Sequence, residues 1–165
     1  MVTGLCACEK EQNAGLEASG IRGDHPGMVK THEIARYECE TRGVAVRVTP
    51  EFLDDQSDPD RQLYMWAYTI EIENRGDETV QLVSRYWLVT DGTGKIETVR
   101  GPGVVGEQPV LEPGQRYSYT SGSPLKTPSG FMRGSFEMSL ASGSRFDAVI
   151  PAFSLDSPYD RTSVH

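Results

Sequence analysis

Histidine, cysteine and long apolar runs are scarce in this chain of 165 residues. The only histidines, His25, His32 and His165, lie outside the stretches that alternate like strands, so a serine or cysteine nucleophile would lack its usual base. No run of about 18 apolar residues occurs, and the N-terminal region lacks the apolar segment of a signal peptide. We therefore expect a cytoplasmic protein that neither spans a membrane nor acts as an enzyme.

Positive charge is also in short supply. The chain has 16 Lys and Arg against 24 Asp and Glu, which gives a net charge of -8. Nucleic-acid binding takes its affinity from clustered basic side chains on phosphates, so we expect no nucleic-acid partner. The three cysteines are too few for a disulfide framework and agree with a reducing compartment.

Two groups of residues invite a metal-binding interpretation. Cys6 and Cys8 could hold a soft metal with His25 or His32, but four ligands at the spacing of structural zinc sites are missing. Four carboxylates fall within residues 54–60, but this segment lacks the central glycine and terminal glutamate of an EF-hand. We predict a solvated hairpin loop at 54–60, no metal site and no cofactor.

Single reactive side chains offer no better case for catalysis. Cys39 is the one cysteine near the folded part, and we expect it half-buried at a strand edge. Glu71 and Glu73 lie two residues apart on one face of a strand, which solvent exposure explains without acid–base chemistry.

The chain divides by composition into a tail and one domain. Residues 1–34 mix glycine, alanine and charged residues without apolar periodicity, which predicts a mobile N-terminal tail. Residues 35–158 are long enough for one domain with its own core, and 159–165 form a C-terminal tail.

Alternation with a period of two begins at Gly43 and recurs along the domain, which predicts strands. No stretch has a helical period, so the fold class is all-β: an antiparallel β-sandwich of the immunoglobulin or fibronectin type III kind, with about seven or eight strands. Trp66 and Trp87 are the expected core anchors. The predicted strands cover residues 44–49, 62–74, 80–90, 95–100, 116–120, 131–140 and 145–153.

Three further details of these strands follow from the alternation and from single residues. The alternation in 80–90 places Leu82 on one face with Tyr86 and Leu88, opposite Trp87. The first half of the strand 62–74 is expected to be buried on both faces. Pro124 predicts a loop after Gly122, and Gly134 predicts a β-bulge.

The residues 100–122 concentrate turn-forming residues. Gly101, Gly103 and Gly106 form a G-x-G-x-x-G pattern, but a dinucleotide site needs a helix directly after it, and Pro109 follows instead. We predict a structural loop in which Gly103 has a positive φ. The alternative is weak binding of phosphate, pyrophosphate or a nucleotide by backbone amides of Gly101, Gly103 and Gly106 with Arg100, although Glu107 would repel an anion.

Several separated motifs in the domain make it resemble the ApaG family. They read Arg85-Tyr-Trp-Leu-Val-Thr-Asp91, Gly101-Pro-Gly-Val-Val-Gly-Glu-Gln-Pro109, Pro113-Gly114, Tyr119-Thr-Ser-Gly122 and Ile150-Pro-Ala-Phe153. The resemblance covers residues 37–158 and implies a fibronectin type III-like sandwich, which the alternation of the strands predicts independently.

The resemblance also implies a function in outline. ApaG proteins are linked by genetics to cobalt and magnesium homeostasis, and the related domain of F-box proteins binds protein partners. Without a spanning segment the chain cannot carry these metals across a membrane itself, so the link would be indirect. We expect a non-enzymatic module for a protein partner, and a homodimer stays open.

Overall fold

The computed structural model describes residues 36–160, which form two antiparallel β-sheets around one core. No helix in this part of the chain is long and apolar enough to cross a membrane. In chain order, the strands are β1 (Tyr37–Thr41), β2 (Val44–Phe52), β3 (Tyr64–Asn74), β4 (Val80–Asp91), β5 (Ile96–Pro102), β6 (Val110–Leu111), β7 (Arg116–Leu125), β8 (Ser129–Leu140) and β9 (Arg145–Asp156).

The first sheet has the order β1-β2-β3-β7, and the second has the order β5-β4-β8-β9, with β6 paired to β4. The prediction of an all-β antiparallel sandwich is confirmed, with nine strands instead of seven or eight. Two strands were not predicted from the sequence: β1, which directly follows the predicted tail, and β6, whose two residues are too few to show alternation. The segment 54–60 lies in the hairpin connection between β2 and β3, residues 53–63, which contains the 3-10 turns Asp54–Gln56 and Pro59–Arg61.

The core forms where the inward faces of the two sheets meet. Trp66 and Trp87 are 5% and 3% exposed, so their predicted role as core anchors is confirmed. The Trp87 ring lies 5.3 Å from the ring of Tyr68 on the opposite sheet, in a tilted arrangement favourable for aromatic pairs. The β3 side chains on the same face are also buried: Tyr64, Tyr68, Ile70 and Ile72.

The predicted faces of β4 are wrong in one respect. A register shift between Leu82 and Ser84 inserts one extra residue, Val83, into the pairing with β8. Such a β-bulge changes the phase of the alternation, so Leu82 lies on the core side together with Trp87 instead of opposite it. The bulge expected at Gly134 is not in β8: between Met132 and Gly134, the pairing of β8 with β9 shifts because β9 has the extra residue, with Pro151 and Ala152 opposite Arg133.

Three smaller expectations are also corrected. Pro124 does not begin a loop, because β7 continues to Leu125 at the sheet edge, where a missing N–H is tolerated. The outer face of β3 is only half-buried at Met65. Cys39 was expected to be half-buried at a strand edge, but its side chain is only 2% exposed and lies among the buried core residues.

The two open sides of the sandwich differ. On one side β1 lies against β9, where the N–H of Val149 donates to the hydroxyl of Thr41 at 3.1 Å. On the other side are β7 and β5. The segment that joins β5 to β6, residues 103–109, also lies on this side, and we call it the glycine loop. Past β9, the ring of Tyr159 packs near Phe52 and Tyr64, and the predicted boundary of the C-terminal tail stays a prediction.

Candidate functional site

The glycine loop is anchored on the bulge residue of β4, Val83. The N–H of Gly103 and the side-chain amide of Gln108 both donate to the carbonyl of Val83, at 2.9 and 2.8 Å. Val104 is fully buried beside them. A bulge residue has no partner in its own ladder, so the loop supplies hydrogen bonds to a carbonyl that β8 leaves unpaired.

The tip of the loop is a two-residue turn. Val104 and Glu107 exchange N–H···O bonds of 2.8 and 2.9 Å, and between them Val105 and Gly106 have φ of 44° and 80°. Two positive φ values are typical of the primed hairpin turns. Gly103 has φ of 59°, as predicted, and a Cβ there would lie 2.2 Å from the carbonyl oxygen of Glu107. The glycine at 103 is therefore required by the backbone.

Arg85 holds the start of the loop, and sequence reasoning missed it. Its guanidinium donates to the carbonyls of Pro102 and Gly103 at 3.0 and 2.9 Å. A Cβ on Gly101 would lie 2.8 Å from the Arg85 Nη2 atom, so glycine at 101 leaves the space that Arg85 needs. The one signal available in the sequence was an arginine within an otherwise largely apolar strand.

Arg100 points away from these groups. It pairs with Tyr86 on the outer face of the second sheet, and its guanidinium lies 4.5 Å from the centre of the Tyr86 ring, a cation–π contact. A shallow groove of about 460 Å³ beside it is shared with the carboxylates Glu137 and Asp147. Glu137 also accepts a 2.8 Å hydrogen bond from Arg145.

The structure does not gather the four predicted ligand residues at one point. Arg100 lies on the outer face, Gly101 faces Arg85 on the opposite face, and the Gly103 amide is bonded to Val83. An anion would have to displace that bond. Anion binding by the loop stays a prediction.

Glu107 connects the loop to the first sheet. Its carboxylate accepts a hydrogen bond from the Tyr117 hydroxyl at 3.1 Å. Burial, and then this contact with a carboxylate, raise the pKa of the Tyr117 hydroxyl. A negative charge is thus fixed at the turn, where a bound phosphate would meet it.

The expected solvent exposure of the β3 carboxylates is wrong for Glu73, which is 9% exposed. Arg75 Nε and Arg116 Nε reach its carboxylate at 2.7 and 2.8 Å, while Arg47 bonds to Glu71. The hydrogen bond from Arg75 is the main cause that lowers the pKa of the Glu73 carboxyl. These side chains form an ion-pair network on the outer face of the first sheet.

Strand β5 has an open edge. It pairs only with β4 among the described strands, and nearly all of its residues are exposed. The carbonyl of Lys95 accepts from Asp91, and Gly103 donates to Val83, so the odd-numbered residues turn their backbone groups toward β4. The even-numbered residues therefore direct their N–H and C=O groups to the free edge: Ile96, Thr98 and Arg100.

A groove lies beside this edge, between the two sheets. Its volume is about 580 Å³, and its lining is mainly apolar, from side chains of both sheets and of the β2–β3 loop: Leu63, Val89, Pro124 and Leu125. Three cations, Arg61, Lys95 and Lys126, and two carboxylates, Asp91 and Glu97, also line it. One oxygen of the Asp91 carboxylate, Oδ1, accepts hydrogen bonds from the N–H groups of Thr93 and Lys95 and from the Thr93 hydroxyl.

Within residues 36–160, no three His, Cys, Asp or Glu side chains are grouped as metal ligands. The pair Cys6 and Cys8, with His25 and His32, lies outside the described residues, so that alternative is not tested.

Comparison with known proteins gives one consistent match. The ApaG domain family (DUF525) matches residues 54–140. The ApaG protein of Parvibaculum lavamentivorans is 54% identical over 129 residues, which cover 78% of this chain and 99% of the relative. That of Rhodospirillum centenum is 58% identical over 126 residues, covering 76% and 97%. A crystal structure of a Bordetella pertussis protein described as ApaA is 45% identical and covers 71% of this chain and 95% of its own, with a TM-score of 0.69.

Proposed function

The chain belongs to the ApaG domain family, and from this premise we propose that it is a non-enzymatic module that binds a protein partner. The partner would dock on the open side of the sandwich formed by β5, the glycine loop and β6. We refer to residues 96–111 as the β5–β6 surface.

One observation carries this proposal. Seven large apolar side chains are exposed among the described residues, and four of them come from the β5–β6 surface: Ile96, Val99, Val105 and Val110. Single exposed apolar side chains are ordinary, but a concentration in one short stretch is typical of interaction sites. The loop bonds to Val83 and Arg85 hold this stretch in place, so little conformational freedom is lost on binding.

We propose no chemical reaction because the described side chains offer no suitable catalytic group. No histidine lies within residues 36–160, and the Glu71 and Glu73 carboxylates are used in ion pairs. The relatives are named only as ApaG proteins, without a reaction. In our proposal the module acts in the cytoplasm, and the link to cobalt and magnesium homeostasis implied by the resemblance is indirect, through the partner.

Site-specific photo-cross-linking in the host cell tests the proposal. A benzoylphenylalanine at position 99 and, in a separate variant, at position 105 should both capture the same protein on irradiation. The matched control carries the same group at Ser118, which is exposed on the outer face of β7. Its position on the other sheet should yield no such adduct.

The proposal fails if positions 99 and 105 give no discrete adduct, or if Ser118 gives the same adduct with equal yield. The expected result is one shared band from the two β5–β6 positions, identified by mass spectrometry as one protein.

A further inference from the structure

We propose that the partner binds as an extended segment that adds a strand to β5 and carries apolar and acidic side chains alternately. This inference rests on the proposed function and specifies how the partner is held. Strand addition to an open sheet edge obtains affinity from backbone hydrogen bonds and specificity from the side chains on either face.

The backbone of β5 offers the bonds that such a segment needs. Ile96, Thr98 and Arg100 direct six N–H and C=O groups to the free edge, and no described residue pairs with them from that side. Open edges of this kind are usually blocked by proline, a bulge or a covering element. Strand β7 has Pro124, and β9 is covered by β1, whereas β5 has none of these three before Pro102 and carries only the charged side chains of Glu97 and Arg100.

The groove between the sheets selects apolar side chains on one face of the added strand. The inward face of β5 carries Val99, which is 44% exposed and pairs with Trp87 of the core. Beyond it lie the apolar walls of the groove, Val89 and Leu125. Every second side chain of an added strand would enter this groove and cover Val99.

Charge selects carboxylates on the rest of the segment. Three cations line the groove against two carboxylates, a surplus of one positive charge. On the outer face, Arg100 is held over Tyr86 beside Asp147 and Glu137, and Glu137 is paired with Arg145. The groove therefore carries a net positive charge on a molecule whose net charge is -8.

This contrast between local and total charge makes a sharp test. Two peptides of equal length serve as probes, acetyl-(Glu-Val)₃-Glu-amide and acetyl-(Lys-Val)₃-Lys-amide. The net charge of the protein alone would favour the lysine peptide. Strand addition at β5 instead predicts that the glutamate peptide binds about tenfold more tightly to the full chain, as measured by titration of backbone amide resonances.

The position of the resonance changes identifies the site. The amides of Ile96, Thr98 and Arg100 should change most, because their N–H groups gain a partner. The amides of Glu97 and Val99 already bond to β4 and should change less.

A matched pair of variants tests the backbone bonds. Thr98→Pro removes a free-edge N–H without removing a bond to β4, and it should abolish binding. Thr98→Val keeps the N–H and the branched side chain, and it should bind like the parent. Should Thr98→Pro not fold, glutamate peptides methylated on alternate backbone nitrogens provide the same test, and one of the two methylation patterns should not bind the parent.

Four results would overturn the inference: preference for the lysine peptide, changes centred away from β5, equal binding by the Pro and Val variants, or no binding by either peptide at millimolar concentration. A parent that is dimeric and a Thr98→Pro variant that is monomeric would assign the edge to a second copy and also overturn it. If photo-cross-linking at positions 99 and 105 succeeds while the peptides fail, the proposed function stands and only strand addition falls.

Discussion

Gly103 shows how one residue determines the path of the loop. Its φ of 59° and the 2.2 Å approach of a Cβ to the Glu107 carbonyl exclude any side chain without movement of the backbone. Gly106 has a similar φ of 80° but open space around the Cβ position. Substitution of Gly106 therefore measures the loss of stability from a positive φ alone, and substitution of Gly103 adds the loss from a steric clash.

We therefore expect Gly106→Ala to lower the free energy of unfolding by about 1–2 kcal/mol, the usual cost of the left-handed region. Gly103→Ala should lower it by a further 1–3 kcal/mol or so, because the methyl group also overlaps the backbone. Urea unfolding followed by tryptophan fluorescence measures both. Equal losses would show that the loop relaxes around residue 103.

Tyr119 carries a buried hydroxyl without a hydrogen-bond partner in the described part of the chain. Burial raises the pKa of this hydroxyl, mainly by desolvation. A buried polar group left unpaired opposes folding. The neighbouring Tyr117 differs, because its hydroxyl donates to Glu107.

This contrast predicts opposite effects of the same substitution. Tyr119→Phe should leave the free energy of unfolding within about 0.5 kcal/mol of the parent or raise it, whereas Tyr117→Phe should lower it by about 0.5–1.5 kcal/mol. Thermal or urea unfolding of both variants decides. A loss above about 1 kcal/mol for Tyr119→Phe would mean that its hydroxyl has a partner after all.

At the level of secondary-structure elements, ion pairs connect neighbouring strands on the outer face of the first sheet. Arg47, Arg75 and Arg116 come from β2, the β3–β4 turn and β7, and they meet Glu71 and Glu73 of β3. The lowered pKa of Glu73 means that its carboxylate stabilises the fold at pH values above the pKa of an unfolded glutamate, about 4.3. This contribution is lost as the pH falls through the lower pKa of the folded state.

Glu73→Gln should therefore be less stable than the parent near neutral pH, and the difference should shrink as the pH falls below about 4. The control, Glu51→Gln, removes an exposed carboxylate of β2 that has no ion pair among the described residues, and it should show little difference at any pH. Urea unfolding from about pH 3 to pH 7 gives both profiles. A gap for Glu73→Gln that is constant with pH would contradict the role of its charge.

The strands themselves were largely predictable, and their irregularities were not. In β3 the buried face that carries Trp66 follows directly from the alternation, although its neighbours Met65 and Ala67 are half-buried and not buried as predicted. In β4 the extra residue at Val83 changes the phase, and only its pairing with β8 and the loop reveals this. Short-range periodicity reports which face is apolar, whereas a bulge depends on partners that are distant in sequence.

Dependence on distant partners also explains which features of the site could be predicted from the sequence and which could not. The glycine pattern identified the loop, and Gly103 has the predicted positive φ. Arg85 was missed because its partners are backbone carbonyls, which any sequence would supply. The open edge of β5 was missed because strand order is set by tertiary contacts and not by the strand's own residues.

At the scale of the whole molecule, the two candidate functions predict different responses to an anion. The Gly103 and Val104 amides are bonded within the protein, and Glu107 fixes a negative charge beside them. Millimolar pyrophosphate should therefore leave the amide resonances of the loop unchanged. A joint, saturable change at Gly101, Gly103 and Gly106 that weakens as salt rises would support the anion site instead.

We propose that this member of the ApaG family binds a protein through the open edge of β5. Residue-resolved amide hydrogen exchange tests this binding mode when the full chain is measured alone and with the purified protein that the cross-links identify. The exchange of Ile96, Thr98 and Arg100 should slow markedly on binding, while amides on the outer face of the first sheet, such as Ser118, should keep their rates. Protection of the first sheet with unchanged exchange at these three β5 residues would exclude binding at this edge.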